Sequence, residues 1–424
     1  MREDTAGQVP TPVYTSARPR TRVGRPSPAE APTVLRGRVI TPTGELTDGV
    51  VVFTDRISWV GPTEASHYKG VPWRDVTVIP GLVDAHCHGG GGVGFPEAAD
   101  SAHARQAVRE HLSHGTTSQI ASLVTASPDT LLRQCELLAE LVDAGDLLGV
   151  HLEGPFLSPG RCGAQDPAFM LPGDPRLVRE VVRASNGHLA TMTIAPEVAG
   201  VLGPDGVIEA LASAGALPSF GHTDASAEIF TAAVAAARAA LVHDRRLPTI
   251  THLFNGMPPL HHRNPGPVAA ALAAGARGEA VVELVADGVH LAPGTVSAVF
   301  DIVPDGAVML VTDAIAATGM PDGDYVLGRA PVTVSGGVAR LTGTRTLAGS
   351  TAHLLDVVRT TVDAGVPLHR AVRAASTTPA TVLGHEDVGS LEAGRSADVV
   401  VLDVHLRAVE VYRRGRRVGA DIPA

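Results

Sequence analysis

Short apolar runs alternate with helical stretches over roughly 300 residues, the extent of one parallel α/β barrel. TTSQIASLVT precedes DTLLRQCELLAELVDA, LATMTIAPE precedes VIEALASAGA, and LPSFGHTD precedes the Ala-rich SAEIFTAAVAAARAALV. LLGVHLEGPF, PTITHLFNGM, AVVELVADGVH and AVMLVTDA are further runs of the first kind. A strand–loop–helix unit repeated in this way builds a parallel sheet. Roughly eight units predict a (β/α)8 TIM-like barrel, here over 81–383. The segment 34–61 and the C-terminal runs SADVVVLD and RAVEVYRRGRRV read instead as short strands between Gly, Pro and Asp turns. They predict that both termini, 34–80 and 384–424, join in a small β-sandwich domain. Residues 1–33, rich in Pro and Arg, are expected to be a disordered leader.

The ends of the apolar runs carry chemistry. They hold His86 and His88, Glu153, His222, His252, His290 and Asp313. In such barrels the site lies at the C-terminal face of the strands. One histidine ending a strand is ordinarily a packed or capping residue, but packing does not account for such a series. Side chains alternate along a strand, so His86 and His88 point the same way and can grip one metal ion. Cys87 points away and reads as a small buried residue. Glu153, His222 and His252 supply one carboxylate and two imidazoles, a three-ligand set of the catalytic zinc type with a position left for water. Asp313 is placed to act as the acid/base, against the plainer reading of a helix N-cap. The four glycines after His88 are expected to let the backbone turn tightly at the mouth of the pocket, where side chains would crowd the ion.

Composition narrows the function. The net charge of −10 argues against nucleic acid. There is no run of about 18 apolar residues, so no membrane span is expected. The N-terminus lacks the apolar segment of a secretory signal. Three cysteines, Cys87, Cys135 and Cys162, argue against a disulfide framework and fit a reducing cytoplasm. Lys69 is the sole lysine.

The stretches PGLVDAHCHGGGG, HLEGPFLSP, FGHTDA, THLFNGMPPLHHRNPG, VADGVH, LVTDA, TLAGS and VGSLEAGRSADVVVLD occur in this order. On them the chain resembles the amidohydrolase superfamily and, within it, the N-acetylglucosamine-6-phosphate deacetylase family. The resemblance implies hydrolysis of the N-acetyl group of a phosphorylated amino sugar. It implies Glu153, His222 and His252 as principal metal ligands, His86 and His88 at a second metal, and Asp313 as acid/base. The cofactor would be a divalent metal, zinc, with one or two ions per subunit. Substrate contacts would come from Ala164, Gln165, Asn255, Gly256, Arg263, His290 and the loop of Leu347, Ala348, Gly349 and Ser350. Arg263 would reach the sugar phosphate of the neighbouring subunit, implying a homodimer. A planar guanidinium suits that task.

Two positions depart from the family pattern. Gln165 stands where the family has a histidine thought to polarise the acetyl carbonyl; it can donate a hydrogen bond but is never a cation. Asn264 stands where glutamate is common. Cys162, in the Gln165 loop, reads as a half-buried thiol, with a redox-sensitive or adventitious ligand role as the sharper alternative. Amidohydrolases that bridge two metals with a carboxylated lysine are excluded, because Lys69 precedes the first barrel strand. An amidohydrolase with another amide substrate, and a non-catalytic sugar-phosphate sensor, remain as alternatives. The second would require loss of a ligand or of the acid/base.

Overall fold

The computed structural model describes residues 31–244 and 246–419. Most of the expected leader therefore lies outside the described residues. Thr33, counted with it above, already pairs with Phe53 in the first strand.

Among the described residues eight parallel strands form one sheet. They are β1 (Leu82–Asp84), β2 (Thr116–Val124), β3 (Gly149–Glu153), β4 (Leu189–Ile194), β5 (Leu217–Phe220), β6 (Thr249–Ile250), β7 (Val281–Leu284) and β8 (Val308–Leu310). Helices separate them, beginning with Ser101–Ser113 and Pro128–Asp143. Side chains of these strands are buried along almost their whole length, as expected where helices cover one face and the barrel interior the other. This is why the runs are continuously apolar rather than alternating.

The barrel closes between β1 and β8, and the closure runs through site residues. His88 N–H donates to Ala314 O at 2.7 Å, and Asp313 N–H donates to His86 O at 2.9 Å. Asp84, fully buried, reinforces the seam. It accepts from the His86 and Thr312 backbone N–H groups, each at 3.3 Å, and from Thr312 Oγ1 at 2.6 Å. Burial raises its carboxyl to about 6, with these hydrogen bonds pulling the other way.

Strands from both ends of the chain meet in a seven-stranded sheet. Thr77–Pro80 is its hinge, pairing in parallel with Thr33–Thr41 and antiparallel with Val399–Leu402. Leu35, Val39, Phe53, Ile57, Val78, Val399 and Val401 form its apolar cluster. A further antiparallel sheet, Gly323–Leu327, Ala330–Ser335 and Val338–Leu341, follows β8. The alternation of strand and helix gave no sign of it. Its turns, at Gly328 and at Ser335–Gly337, are nevertheless ordinary hairpin chemistry.

Candidate active site

Four imidazoles and two carboxylates converge at the C-terminal ends of the barrel strands. Glu153 ends β3, and His222, His252 and Asp313 follow β5, β6 and β8 by two or three residues. His222, His252 and Asp313 hold positive φ angles of 47°, 27° and 51°. Non-glycine residues adopt such angles only where the surroundings impose them, and they gather at functional sites.

Two groups of donors are distinct yet touching. In one, Glu153 Oε1 lies 2.9 Å from both His222 Nε2 and His252 Nε2, and the two nitrogens are 3.1 Å apart. In the other, His86 Nε2 and His88 Nε2 are 3.1 Å apart. Asp313 Oδ1 lies 3.5 and 3.3 Å from them. Glu153 Oε2 links the groups at 3.2 Å from His88 Nε2.

Tautomers follow from the outer contacts. His222 Nδ1 faces the Arg161 carbonyl at 2.7 Å, His88 Nδ1 the Ser122 carbonyl at 3.1 Å, and His86 Nδ1 the Glu283 carboxylate at 3.2 Å. Each partner only accepts, so each Nδ1 carries the hydrogen and each Nε2 of the neutral ring turns a lone pair inward. Inward lone pairs facing carboxylate oxygens need a cation between them. Ligand atoms about 3.3 Å apart are what a tetrahedral ion with bonds of about 2.0 Å requires. The donor set therefore fits a divalent metal.

Without a cation the cluster draws protons instead. Burial alone would lower His88, but Asp313 and Glu153 outweigh it and push the imidazole up to about 10. His86 and His222 are raised in the same way, the first chiefly by Glu283 and the second by Glu153. Burial opposes ionisation of Glu153 and Asp313 as well. The facing histidines nevertheless hold Glu153 well below its usual range, and His88 and His86 hold Asp313 at about 2. Asp313 is thus ionised and able to accept a proton at neutral pH.

The cavity beside these groups is lined by Gly163, Ala164, Gln165, Asn255, Gly256, His290, Leu327, Thr346, Leu347 and Gly349, together with His88, Glu153, His222, His252 and Asp313. Gly256 sits at φ +60°, and a Cβ there would come within 3.0 Å of His222 Nδ1. His290 donates from Nδ1 to Asp287 at 2.8 Å. Burial would lower its pKa, but the Asp287 carboxylate outweighs burial and raises it.

Other expected positions lie apart from the cavity. Ala348 is fully buried, packed with Val124, Ile315 and Leu327. Ser350 braces Asp313 from behind, its N–H donating to the Asp313 carbonyl at 2.8 Å. Arg263 is on an exposed loop with its guanidinium donating to His262 Nε2 at 2.7 Å. Asn264 closes that loop, its N–H donating to the His261 carbonyl at 3.0 Å. Among the described residues lining the cavity, none is Arg or Lys. Lys69 is exposed and remote from the barrel strands in sequence. Cys162 is a free, half-buried thiol.

The glycines after His88 make the tight turn expected of them, with Gly91 and Gly92 at φ 60° and 87°. A Cβ at Gly89 would meet the Val93 carbonyl at 2.3 Å, and one at Gly90 would meet His111 Nε2 at 2.7 Å. Gly89 and Gly90 are required by the tight Gly89–Gly90/Val93–Gly94 pairing and by the buried His111.

Two buried residues of the site were not singled out from the sequence. Glu283 holds His86, and His151 lies under it with ring centroids 4.5 Å apart. His151 is bonded to Ser122 Oγ at 2.9 Å and Thr193 Oγ1 at 2.8 Å. Burial, with His86 adding to it, keeps it far below its ordinary pKa and therefore neutral.

A parallel barrel with a mixed histidine–carboxylate centre at its strand ends defines a class. Residues 77–418 match the amidohydrolase family, and the chain belongs to that family. The N-acetylglucosamine-6-phosphate deacetylase of Mus musculus is 36% identical over 353 residues, covering 80% of this chain and 83% of the relative. That of Vibrio furnissii is 33% identical over 359 residues, covering 83% and 85%. Among solved structures, a mutant N-acetyl-D-glucosamine-6-phosphate deacetylase from Mycobacterium smegmatis, in complex with N-acetyl-D-glucosamine-6-phosphate, superposes with a TM-score of 0.84 at 40% identity, covering 92% of this chain and 100% of that one. The Thermotoga maritima enzyme of the same name gives 0.78 at 28% identity, covering 92% and 100%. Within the amidohydrolases the chain is one of the N-acetylglucosamine-6-phosphate deacetylases.

Proposed function

We infer that this chain hydrolyses the N-acetyl group of N-acetylglucosamine 6-phosphate to acetate and glucosamine 6-phosphate, in amino-sugar catabolism and cell-wall sugar recycling. The observation that carries the reading is the complete buried donor set, Glu153, His222 and His252 beside His86, His88 and Asp313, in a chain of this family. Glu153, His222 and His252 would hold one divalent cation, zinc by the chemistry of the donors. His86 and His88 provide for a second. When bound, the cation supplies Lewis acidity, polarising a carbonyl oxygen and making water a usable nucleophile near neutral pH.

The chain's own residues do the rest. Asp313, ionised and bordering the cavity, takes the proton of the attacking water. The water oxygen bonds to the acetyl carbon as that proton leaves, and Asp313 then gives the proton to the amide nitrogen as the C–N bond breaks, releasing acetate and the amine. His290, held through Nδ1 by Asp287, presents Nε2 to the sugar or its phosphate. Asn255, Gly256, Ala164, Leu347 and Gly349 shape the wall against the ring. A phosphate needs fixed positive charge, and the cavity's own lining has neither Arg nor Lys among the described residues. That gap supports a homodimer in which Arg263 of one subunit reaches the other's cavity. A phosphorylated substrate, which does not cross a membrane unaided, supports a cytoplasmic location. Among the described residues no helix is long and apolar enough to cross a membrane.

The test is acetate release by zinc-loaded protein from N-acetylglucosamine 6-phosphate and, in parallel, from unphosphorylated N-acetylglucosamine. Release from the phosphate ester alone is expected. Equal release from both would remove the phosphate contact from the reading, and release from neither would overturn the substrate.

A further inference from the structure

Gln165 comes from the loop between β3 and the helix Pro175–Ala184, and its side chain is buried and gripped on both sides. The Thr125 backbone N–H, just past the end of β2, donates to Oε1 at 2.7 Å. On the other side Nε2 donates to Glu153 Oε2 through a short hydrogen bond. The orientation of the carboxamide is fixed by its partners. A backbone N–H can only donate and an ionised carboxylate can only accept, so the reverse orientation would lose both bonds. The same stitch is repeated beside it, with Thr125 Oγ1 donating to the Glu153 carbonyl at 2.9 Å.

Glu153 needs such a hold. Its carboxylate stands between two sets of imidazoles, with Oε1 on His222 and His252 and Oε2 3.2 Å from His88 Nε2. A small rotation would exchange those allegiances. We propose that Gln165 is a positioning residue that caps Glu153 Oε2 and thereby commits Oε1 to His222 and His252. A group serving only to polarise the acetyl carbonyl would have no reason to bind both Glu153 and the end of β2. This inference rests on the reading that Glu153, His222 and His252 hold a divalent cation. Partners of this kind that orient a ligand contribute about 10–100-fold to metal affinity.

Gln165→Met keeps the length of the side chain and removes both hydrogen bonds. Metal-free protein is titrated with zinc alone against a chromophoric chelator. The wild type is expected to bind zinc, and Gln165→Met to bind it roughly 10–100-fold more weakly. Gln165→His, which offers one acceptor and one N–H, should restore most of the affinity. Wild-type zinc affinity in Gln165→Met, with the loss confined to kcat or KM, would overturn the proposal in favour of direct substrate contact. Should Gln165→Met not fold, Gln165→Asn serves: one methylene shorter, it cannot span Thr125 and Glu153 Oε2 together and adds no charge beside the ligands. It must also weaken zinc binding, and unchanged affinity there overturns the proposal equally. A wild type that binds no zinc would sink the underlying reading as well, a different result from a variant that binds it normally.

Discussion

Glu283 interrupts the otherwise apolar run AVVELV of β7, and its carboxylate lies 3.2 Å from His86 Nδ1. The His252 backbone N–H points at the same oxygen, 3.4 Å away. An acceptor there keeps the hydrogen on Nδ1 and makes Nε2 a stronger donor toward a cation. Glu283→Gln retains the shape and an acceptor but removes the charge. We expect cation affinity at His86 and His88 to fall about 10-fold while the melting temperature holds, and metal titration followed by differential scanning calorimetry checks both. Unchanged affinity would reduce Glu283 to a space-filler. His86, His88, Glu153, His222, His252 and Asp313 were legible in the sequence because each closes an apolar run, where the barrel rule directs attention. Glu283 was not, because a single carboxylate inside a strand is hidden by the burial of its neighbours. The clamp on Glu153 was illegible for another reason. Thr125 follows β2 while Glu153 and Gln165 belong to the next βα unit, and spacing says nothing about which of their side chains meet.

At the scale of elements, the sheet Gly323–Leu341 is fastened to the barrel mouth, where Leu327 lines the cavity. Arg329 lies over the Phe169 ring at 5.4 Å, and the Gly328 N–H donates to Glu97 through a short hydrogen bond. Burial pushes the Glu97 carboxyl from an ordinary 4.5 up to about 7, with the Gly328 N–H opposing. Below about pH 4.5 both folded and unfolded chains hold this proton. As pH rises toward 7 the unfolded chain gives it up first, so stability falls through that window and the loss is complete above it. The shift corresponds to about 3 kcal/mol as an order of magnitude. Glu97→Gln cannot ionise, and its carboxamide oxygen can still accept from Gly328. Its melting temperature should therefore match the wild type at pH 4 and exceed it at pH 8. Parallel profiles for the two proteins would assign the window to another group. The eight βα units were readable because helix and strand differ in period. This sheet was missed because DYVLGRAPVTVSGGVARL falls inside a segment already read as barrel.

The whole molecule is acidic, at −10, yet its inferred substrate is an anion. Among the described residues the cavity lining offers no Arg or Lys to meet that charge, while Arg263 stands on an exposed loop. A site completed across a two-fold axis reconciles these facts, since an isologous contact gives each cavity the other subunit's arginine. Mixing tests the arrangement without relying on any single loss. Arg263→Ala keeps Asp313 but lacks the phosphate contact, and Asp313→Asn keeps Arg263 but lacks the acid/base. Each alone should be close to inactive. In a mixed dimer one cavity has its own Asp313 and the partner's Arg263, while the other has neither. Subunits exchanged at equal ratio should then recover about a quarter of wild-type acetate release, because half of the dimers are mixed and one site in each works. If Arg263 serves its own chain's cavity, the mixture will show no more than the mean of the two variants, and the shared site will be wrong even where a dimer exists.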